Sequence, residues 1–288
     1  MSLQKEIQER QNKPEMLMHQ FAARYYFNTA EKCFTAAFIL SVAALSLALF
    51  DSDDSILSTL LLIIPPMFGV CSWILIFRAS RFVKNAALLR NYFDNQVLGL
   101  KDGFTPETTM RKIKQLTNRV VKKHRTEYEI QVVHTSKDNP PGVKDWYEFS
   151  KQYSDSEVIF ECQRQNQYWT KKLLIMRLVF YGILFIITLT VAILLCCAFQ
   201  IGFWKVVSCV FGLLGVIADS IINNTRYINI TSEIDGAIKI LEISNDAAQI
   251  EKFQEMLGSR REIPVLEINL IHRRNSSSIS EEYNRLSK

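Results

Sequence analysis

Two short polar stretches combine aromatic rings, a guanidinium group and side-chain amides. Aromatic rings stack on bases, arginine binds phosphate, and amides can read base edges. We therefore predict a ligand site from these residues: Lys144, Trp146, Tyr147, Gln163, Arg164, Asn166 and Trp169. Because Trp and Tyr also favour the membrane interface, the alternative interpretation is that these aromatic residues are interfacial anchors.

A second candidate surface is the basic face of a predicted helix that begins after Thr105-Pro106-Glu107, a typical helix start. Such a face attracts phosphate groups, whether of a nucleotide or of an anionic lipid. Lys122 and Arg125, at its end, are therefore added to the predicted ligand site. The alternative is a solvated basic face near the membrane. The face consists of Arg111, Lys112, Lys114, Arg119, Lys122, Lys123 and Arg125.

Several polar side chains fall inside or at the ends of apolar segments. A charge at the centre of a bilayer costs at least about 2.5 to 3.5 kcal/mol, so such groups usually face a bundle interior or water. We predict that they line a pore or control its gate: Arg177, Asp219, Asn223 and Asn224. The alternative for Arg177 and Asp219 is a static ion pair at one interface.

The sequence lacks the usual signatures of catalysis and metal binding. Its four histidines show no HExxH spacing, and no GxSxG motif or Walker loop occurs. Its six cysteines include no CxxC pair. We therefore expect neither an enzyme nor a metal or cofactor site, only an activating ligand.

Four apolar segments position these side chains. The chain has 288 residues, of which 48% are hydrophobic, yet its mean hydropathy is only +0.04 because the apolar residues are clustered. Charge-free runs cover 33–50 and 56–77, and 173–222 is long enough for two further spans. A bilayer core of about 30 Å requires about 20 apolar residues in a helix. These runs exclude one soluble globular domain and predict four transmembrane helices in two hairpins.

The charge distribution orients the four predicted spans. Residues 78–172 hold eighteen Lys and Arg against eleven Asp and Glu, for a net +7, and basic residues stand next to the spans. The loop between the first two spans carries three acids instead. By the positive-inside rule, we expect the central segment and both termini to lie in the cytoplasm, in a multi-pass membrane protein.

The predicted fold class is an all-α membrane protein with a mainly helical cytoplasmic insert. Helical spacing extends span two to Gly99, a helix over 156–172 leads into span three, and alternation over 127–133 indicates a short strand. The predicted segments are an N-terminal segment 1–32, hairpin one 33–77, the insert 78–172 as candidate sensor, hairpin two 173–222, C-terminal cytoplasmic helices 223–260 and a flexible tail 261–288.

Two motifs within this arrangement resemble a known family. Lys144-Asp145-Trp146-Tyr147 and Cys162-Gln163-Arg164-Gln165-Asn166-Gln167-Tyr168-Trp169, set between two pairs of spans, are similar to the SMODS-associated four-transmembrane effectors of bacteria. The likeness covers nearly the whole chain in architecture, but its specific residues are confined to these motifs. It implies a role in antiphage signalling, in which a nucleotidyltransferase makes a cyclic oligonucleotide and the effector permeabilises the inner membrane. It supplies no ligand-binding residues.

The leading hypothesis is a ligand-gated effector of abortive infection. A cyclic oligonucleotide binds the insert or the C-terminal helices, and continuous helices carry the change to the spans. Four spans with few polar residues leave little room for water, so a pore requires a homo-oligomer. One alternative is a membrane-anchored interaction or scaffold module without a pore. Another is a lipid-modifying enzyme, which requires Arg177, Asp219 and His19 to meet in space.

Overall fold

The computed structural model describes most of the chain, and helices dominate the described part. Its helices are α1 Leu3–Gln11, α2 Pro14–Leu49, α3 Ser55–Leu98, α4 Glu107–Lys123, α5 Arg125–Gln131, α6 Asp155–Phe199, α7 Phe203–Ser244 and α8 Ala247–Arg261. No strand occurs among the described residues, although Thr135 and Lys144 form a single bridge. The prediction of an all-α fold is confirmed. The described residues are 2–50, 55–100, 106–136, 138, 140–149, 151–199, 203–244, 247–265, 279, 282, 283 and 285.

Four of the helices are longer than a membrane span. Helices α2, α3, α6 and α7 contain 36, 44, 45 and 42 residues. At 1.5 Å per residue they measure roughly 54 to 68 Å, about twice the bilayer core. Two of them, over Pro14–Leu47 and Ile56–Leu98, are long and apolar enough to cross a membrane. Most side chains of the predicted third and fourth spans lie outside the described residues.

Helices α2 and α3 form a closely packed hairpin. Buried alanines such as Ala37 and Ala79 line their contact. The hydroxyls of Ser41 and Ser72 are 2.8 Å apart, and Ser72 donates to the carbonyl of Ala37 at 2.9 Å. Small residues and interhelical hydrogen bonds are how helices associate in lipid, where apolar surface alone provides no driving force between them.

The outer face of the same hairpin is apolar and exposed. The exposed side chains on α3 include Ile56, Ile63, Met67, Val70, Trp73 and Phe77. A second exposed apolar row on α6 includes Ile175, Val179, Ile183 and Ile186. Soluble proteins rarely expose contiguous apolar surface of this extent. These faces are suited to lipid or to other apolar helices.

The remaining parts pack into one body, which we call the polar body: α1, the start of α2, the end of α3, α4, α5, the start of α6, the end of α7, and α8. Its three core clusters centre on Phe21 and Leu89, on Phe93 and Tyr147, and on Phe253. The N-terminal, central and C-terminal segments therefore lie on one side of the spans. Helix α8 approaches α3 closely at Gly258, where a Cβ would stand 2.9 Å from the Asn91 amide.

The predicted strand over 127–133 is wrong, because α5 covers Arg125–Gln131. Tyr128 and Val132, four residues apart, pack on the first core cluster, whereas Ile130 is 44% exposed. The apolar spacing is therefore that of a short helix, and no partner strand exists in the described chain.

Helices α3 and α6 do run unbroken from the polar body into the apolar segments, as predicted. Gly99, with φ of 66°, follows the end of α3.

Candidate functional site

A buried carboxylate, Asp94 near the end of α3, is the centre of the polar body. Its carboxylate oxygens lie 3.4 Å from Arg90 Nε on the same helix and 2.6 Å from Arg261 Nη2 on α8. The hydroxyl of Tyr147 donates to Asp94 Oδ1 at 2.8 Å. Asp94 is 0% exposed, so these groups replace the water that it loses on folding.

The charge states of this network follow from its surroundings. Burial by itself would raise the pKa of Asp94, but the charges of Arg261 and Arg90 and the Tyr147 hydrogen bond together lower it. Burial and the Asp94 charge raise the pKa of the Tyr147 hydroxyl well above its ordinary value of 10.0. At neutral pH the network therefore contains an ionised carboxylate and a neutral phenol.

The Lys144-Asp145-Trp146-Tyr147 motif docks the insert onto the N-terminal helices. Asp145 has φ of 51°, a left-handed conformation, and exchanges hydrogen bonds with the Asn12 side chain at 2.7 and 3.1 Å. The backbone N–H and C=O of Tyr147 both pair with the Gln11 amide. The motif is held from both sides, which explains how an uncommon backbone conformation persists.

The second motif, on α6, ties this helix to two partners. The Asn166 amide donates to the Tyr147 hydroxyl at 3.0 Å. The Gln163 amide donates to the Ile250 carbonyl and to Gln254 Oε1, each at 3.2 Å, and so joins α6 to α8. Cys162 is buried beside Tyr147, and burial raises the pKa of its thiol well above the ordinary value.

The predicted ligand residues do not form one open surface. Tyr147 and Gln163 are 1% and 0% exposed and fill the polar body. Trp146 is 37% exposed, and its ring lies 3.8 Å from the Arg90 guanidinium. Trp169 is half-buried on α6, whereas Lys144 is exposed. Lys122 and Arg125 are exposed at the α4–α5 junction, where Arg125 pairs with Glu129 at 2.8 Å.

Arg164 is separate from the other predicted residues, because it lines a cleft between α6 and α7. The cleft has a volume of about 250 Å³. Two of its lining residues form an ion pair, in which Lys171 Nζ lies 2.7 Å from Asp235 Oδ2. The lining residues are Arg164, Gln167, Tyr168, Lys171, Asp235, Ile238 and Tyr283.

Sequence reasoning missed this cleft, although one signal was present. Arg164, Tyr168 and Lys171 recur at spacings of four and three, which places them on one face of α6. The partners Asp235 and Tyr283 come from distant positions, and nothing local in the sequence connects them to α6. A cationic and aromatic stripe beside a predicted span was therefore the only local indication of a site.

The predicted pore residues lie on α6 and α7, about 20 residues from the end of α6 and from the start of α7. Arg177 is 5% exposed, and its guanidinium lies 4.7 Å from the centre of the Tyr227 ring. Its Nε and one terminal nitrogen have no hydrogen-bond partner among the described residues. Asn223 is buried, and the Asn224 amide donates to the Ser220 carbonyl at 2.8 Å.

The predicted pair of Arg177 and Asp219 falls partly outside the described residues, since the side chain of Asp219 is not among them. The residue placed opposite Arg177 is Tyr227, eight positions beyond Asp219, or about 12 Å farther along α7. His19, the third member of the hypothetical lipid-modifying cluster, contacts Thr117 at 2.8 Å on α4 instead. No cluster of potential metal ligands occurs within the described part of the chain.

Long apolar helices that continue into a shared polar body define the class: a multi-span helical membrane protein whose polar parts pack together. The family model of the SMODS-associating 4TM effector domain matches residues 5–281. The chain belongs to this family. Comparisons with curated proteins and with solved structures found no match.

Proposed function

We propose that the protein is an inner-membrane effector of antiphage defence that a cyclic oligonucleotide activates from the cytoplasm. Activation permeabilises the membrane through an oligomeric pore and so aborts infection. Membership of an effector family associated with SMODS supports the class. The observation that carries the mechanism is the continuity of α3 and α6 from the Asp94 network into the apolar segments.

That continuity gives ligand binding a direct mechanical path. Asp94 lies 17 residues from Phe77 at the end of the second predicted span, or about 26 Å along α3. Asn166, bound to Tyr147, lies eight residues, or about 12 Å, before Leu174 on α6. A ligand that binds one arrangement of the polar body more tightly than the other shifts the equilibrium between the two arrangements. The shift equals the difference between the two binding free energies, and the spans move with the polar body.

The proposed pore consists of several copies of the chain. Within one copy, α2 and α3 are in close contact through Ala37, Ser41 and Ser72, which leaves no gap between them. Their outer faces expose large apolar side chains that can contact lipid or neighbouring copies. Polar groups such as Arg177 and Asn223, which are buried within one copy at rest, become exposed to the assembly interior on opening, since charges avoid the lipid.

The partners in this proposal are the bilayer, the cyclic nucleotide and further copies of the chain, with a functional link to the nucleotidyltransferase that makes the nucleotide. The protein acts through membrane permeability and carries out no catalysis. In this proposal the polar body and both termini lie in the cytoplasm, which the net charge of +7 on the insert supports.

The test uses living cells in which the chain is expressed with or without an active cyclic-oligonucleotide synthase. A membrane-potential dye should report depolarisation only when both are present. A catalytically inactive synthase serves as the matched control. Unchanged membrane potential with several synthases of different product would contradict the proposal and favour a scaffold module.

A further inference from the structure

Two residues near the C-terminal end of the chain lie at the cleft between α6 and α7: Tyr283 lines it, and Glu282 binds Lys172 next to it. Glu282 accepts a hydrogen bond from Lys172 Nζ at 2.7 Å. The adjacent Tyr283 is buried, its hydroxyl donates to Glu161 Oε1 at 2.5 Å, and its ring centre lies 5.1 Å from that of Tyr168. One side of the cleft is therefore closed by an aromatic ring, with an acid bound next to it.

These two side chains combine the chemistry of a nucleotide. The Glu282 carboxylate, bound to the Lys172 ammonium group, resembles a phosphate. The Tyr283 ring, beside Tyr168 and 6.0 Å from the Arg164 guanidinium, resembles a base. Proteins recognise nucleotides with the same pairing of cations and aromatic rings.

The charges around the cleft favour an anionic occupant once the tail leaves. Four cations and three acids line the cleft or stand next to a lining residue, and one of the acids, Glu282, belongs to the tail. Without Glu282 the balance changes from +1 to +2, and Lys172 loses its bound anion. Arg260 stands behind the wall, bonded to Gln167 and Thr170. The cations are Arg164, Lys171, Lys172 and Arg260, and the acids are Glu161, Asp235 and Glu282.

We propose that this cleft is the site of the activating cyclic oligonucleotide, and that Glu282 and Tyr283 occupy it at rest as a competing mimic. The proposal rests on the proposed function and locates its ligand on α6, α7 and the C-terminal end. With Tyr283 in place the volume is about 250 Å³, just below the roughly 300 to 1,000 Å³ of small-molecule sites. Departure of the Tyr283 ring enlarges the cleft into that range.

The position of the cleft suits it to gating. Lys171 and Lys172 immediately precede the third predicted span, and Asp235 lies on the helix that continues the fourth. A ligand that takes the place of the tail therefore acts on both helices of the second hairpin at the membrane surface. Arg177, which contacts Tyr227, lies six residues beyond Lys171 on α6, or about 9 Å farther along the helix.

The experiment measures equilibrium binding of a panel of cyclic di- and trinucleotides to the detergent-solubilised full-length protein. A double variant, Glu282→Ala with Tyr283→Ala, vacates the cleft and should bind about tenfold more tightly if the tail occupies the site about nine-tenths of the time. The isosteric single variant Glu282→Gln should change affinity in the same direction by a smaller factor. Glu251→Ala, which removes an exposed acid of α8 that does not line the cleft, is the matched control and should leave affinity unchanged.

A second pair of variants tests the site itself. Arg164→Ala with Lys172→Ala should weaken binding at least about tenfold, since it removes two charge-assisted contacts. Lys122→Ala, on the exposed basic face of α4, should have no effect. Thermal unfolding of each variant shows that it is folded before its affinity is interpreted.

The outcomes separate the two proposals. If a nucleotide binds the wild type but neither the tail nor the cleft variants change its affinity, the cleft is not the site and the proposed function stands. Loss of binding in Lys122→Ala alone would contradict the cleft in the same way. If no nucleotide of the panel binds either the wild type or the vacated variant, cyclic-nucleotide activation fails, and this inference fails with it.

Discussion

The carboxylate of Asp94 on α3 and the guanidinium of Arg261 on α8 form a buried ion pair with a separation of 2.6 Å. Tyr147 of the insert donates to the same carboxylate, and Asn166 of α6 donates to Tyr147. One acid therefore joins four parts of the chain that are distant in sequence. The contacts that connect them measure 2.6 to 3.0 Å.

Replacement of Asp94 by alanine should strongly destabilise the polar body. The substitution leaves Arg90 and Arg261 buried without their shared anion, and breaking a buried pair costs about 3 to 5 kcal/mol. Chemical or thermal unfolding of the solubilised protein measures the loss. Glu107→Ala removes the exposed pair with Arg111 on α4 and should cost under about 1 kcal/mol. Equal effects of the two substitutions would contradict the importance of Asp94.

Stability should fall as the pH drops below about 6.5 because of His19. Burial lowers the pKa of His19 from its ordinary value of 6.5, and this effect outweighs the nearby Glu15 carboxylate. The unfolded chain therefore binds a proton at a higher pH than the folded chain does, so stability present above pH 6.5 is lost below it. Lys114, whose charge also lowers this pKa, adds to the effect.

The check is the unfolding temperature at pH 7.5 and 5.5, compared with that of His19→Gln. Glutamine can still bond the Thr117 hydroxyl but does not titrate, so its unfolding temperature should fall less between the two pH values. An identical pH dependence in the wild type and the variant would show that other groups are responsible.

Two variants distinguish the aromatic motif from the cleft as the ligand site. Arg164→Ala should weaken nucleotide binding about tenfold or more, because Arg164 lines the cleft. Trp146→Ala should leave affinity within about threefold, since Trp146 packs on Arg90 and is not part of the cleft. Isothermal calorimetry with the solubilised protein measures both. Loss of binding in Trp146→Ala but not in Arg164→Ala would restore the aromatic motif as the site.

Arg177→Leu separates an effector from a scaffold. As an effector, the protein should show altered toxicity in cells, because the variant removes a buried charge at the start of the third span. As a scaffold that uses the spans only as a tether, it should be unaffected. Cell survival after induction is the readout, with Arg177→Lys as the matched variant that retains the charge. Asp219→Leu is the corresponding test on α7.

The membrane architecture and the long helices could be predicted from sequence because they depend on local patterns. Uncharged runs of about 20 residues identify spans, and helical spacing beyond Phe77 predicts that α3 continues to Leu98. The strand prediction failed since Tyr128, Ile130 and Val132 alternate over too short a stretch to exclude a helix. A strand also requires a partner strand, which only the tertiary structure reveals, and none occurs among the described residues.

The candidate site was less predictable because its chemistry depends on distant partners. The residue types of Trp146, Tyr147 and Gln163 suggest a nucleotide site. In the structure, however, the Trp146 ring packs on Arg90. Tyr147 and Gln163 form hydrogen bonds with Asp94 and Gln254. Arg164, predicted as a phosphate ligand, lines a cleft with Tyr283, to which no local sequence pattern connects it. Glu282 and Tyr283, in a segment expected to be a flexible tail, pack against α6 instead.

The central claim is that a cyclic oligonucleotide opens this protein to permeabilise a membrane. Its most direct test is dye release from liposomes that contain the purified full-length protein, measured before and after addition of cyclic di- and trinucleotides. We predict release with one nucleotide class and none with its linear form or in protein-free liposomes. Unchanged release across the whole panel, from protein shown to be folded and inserted, would contradict the account.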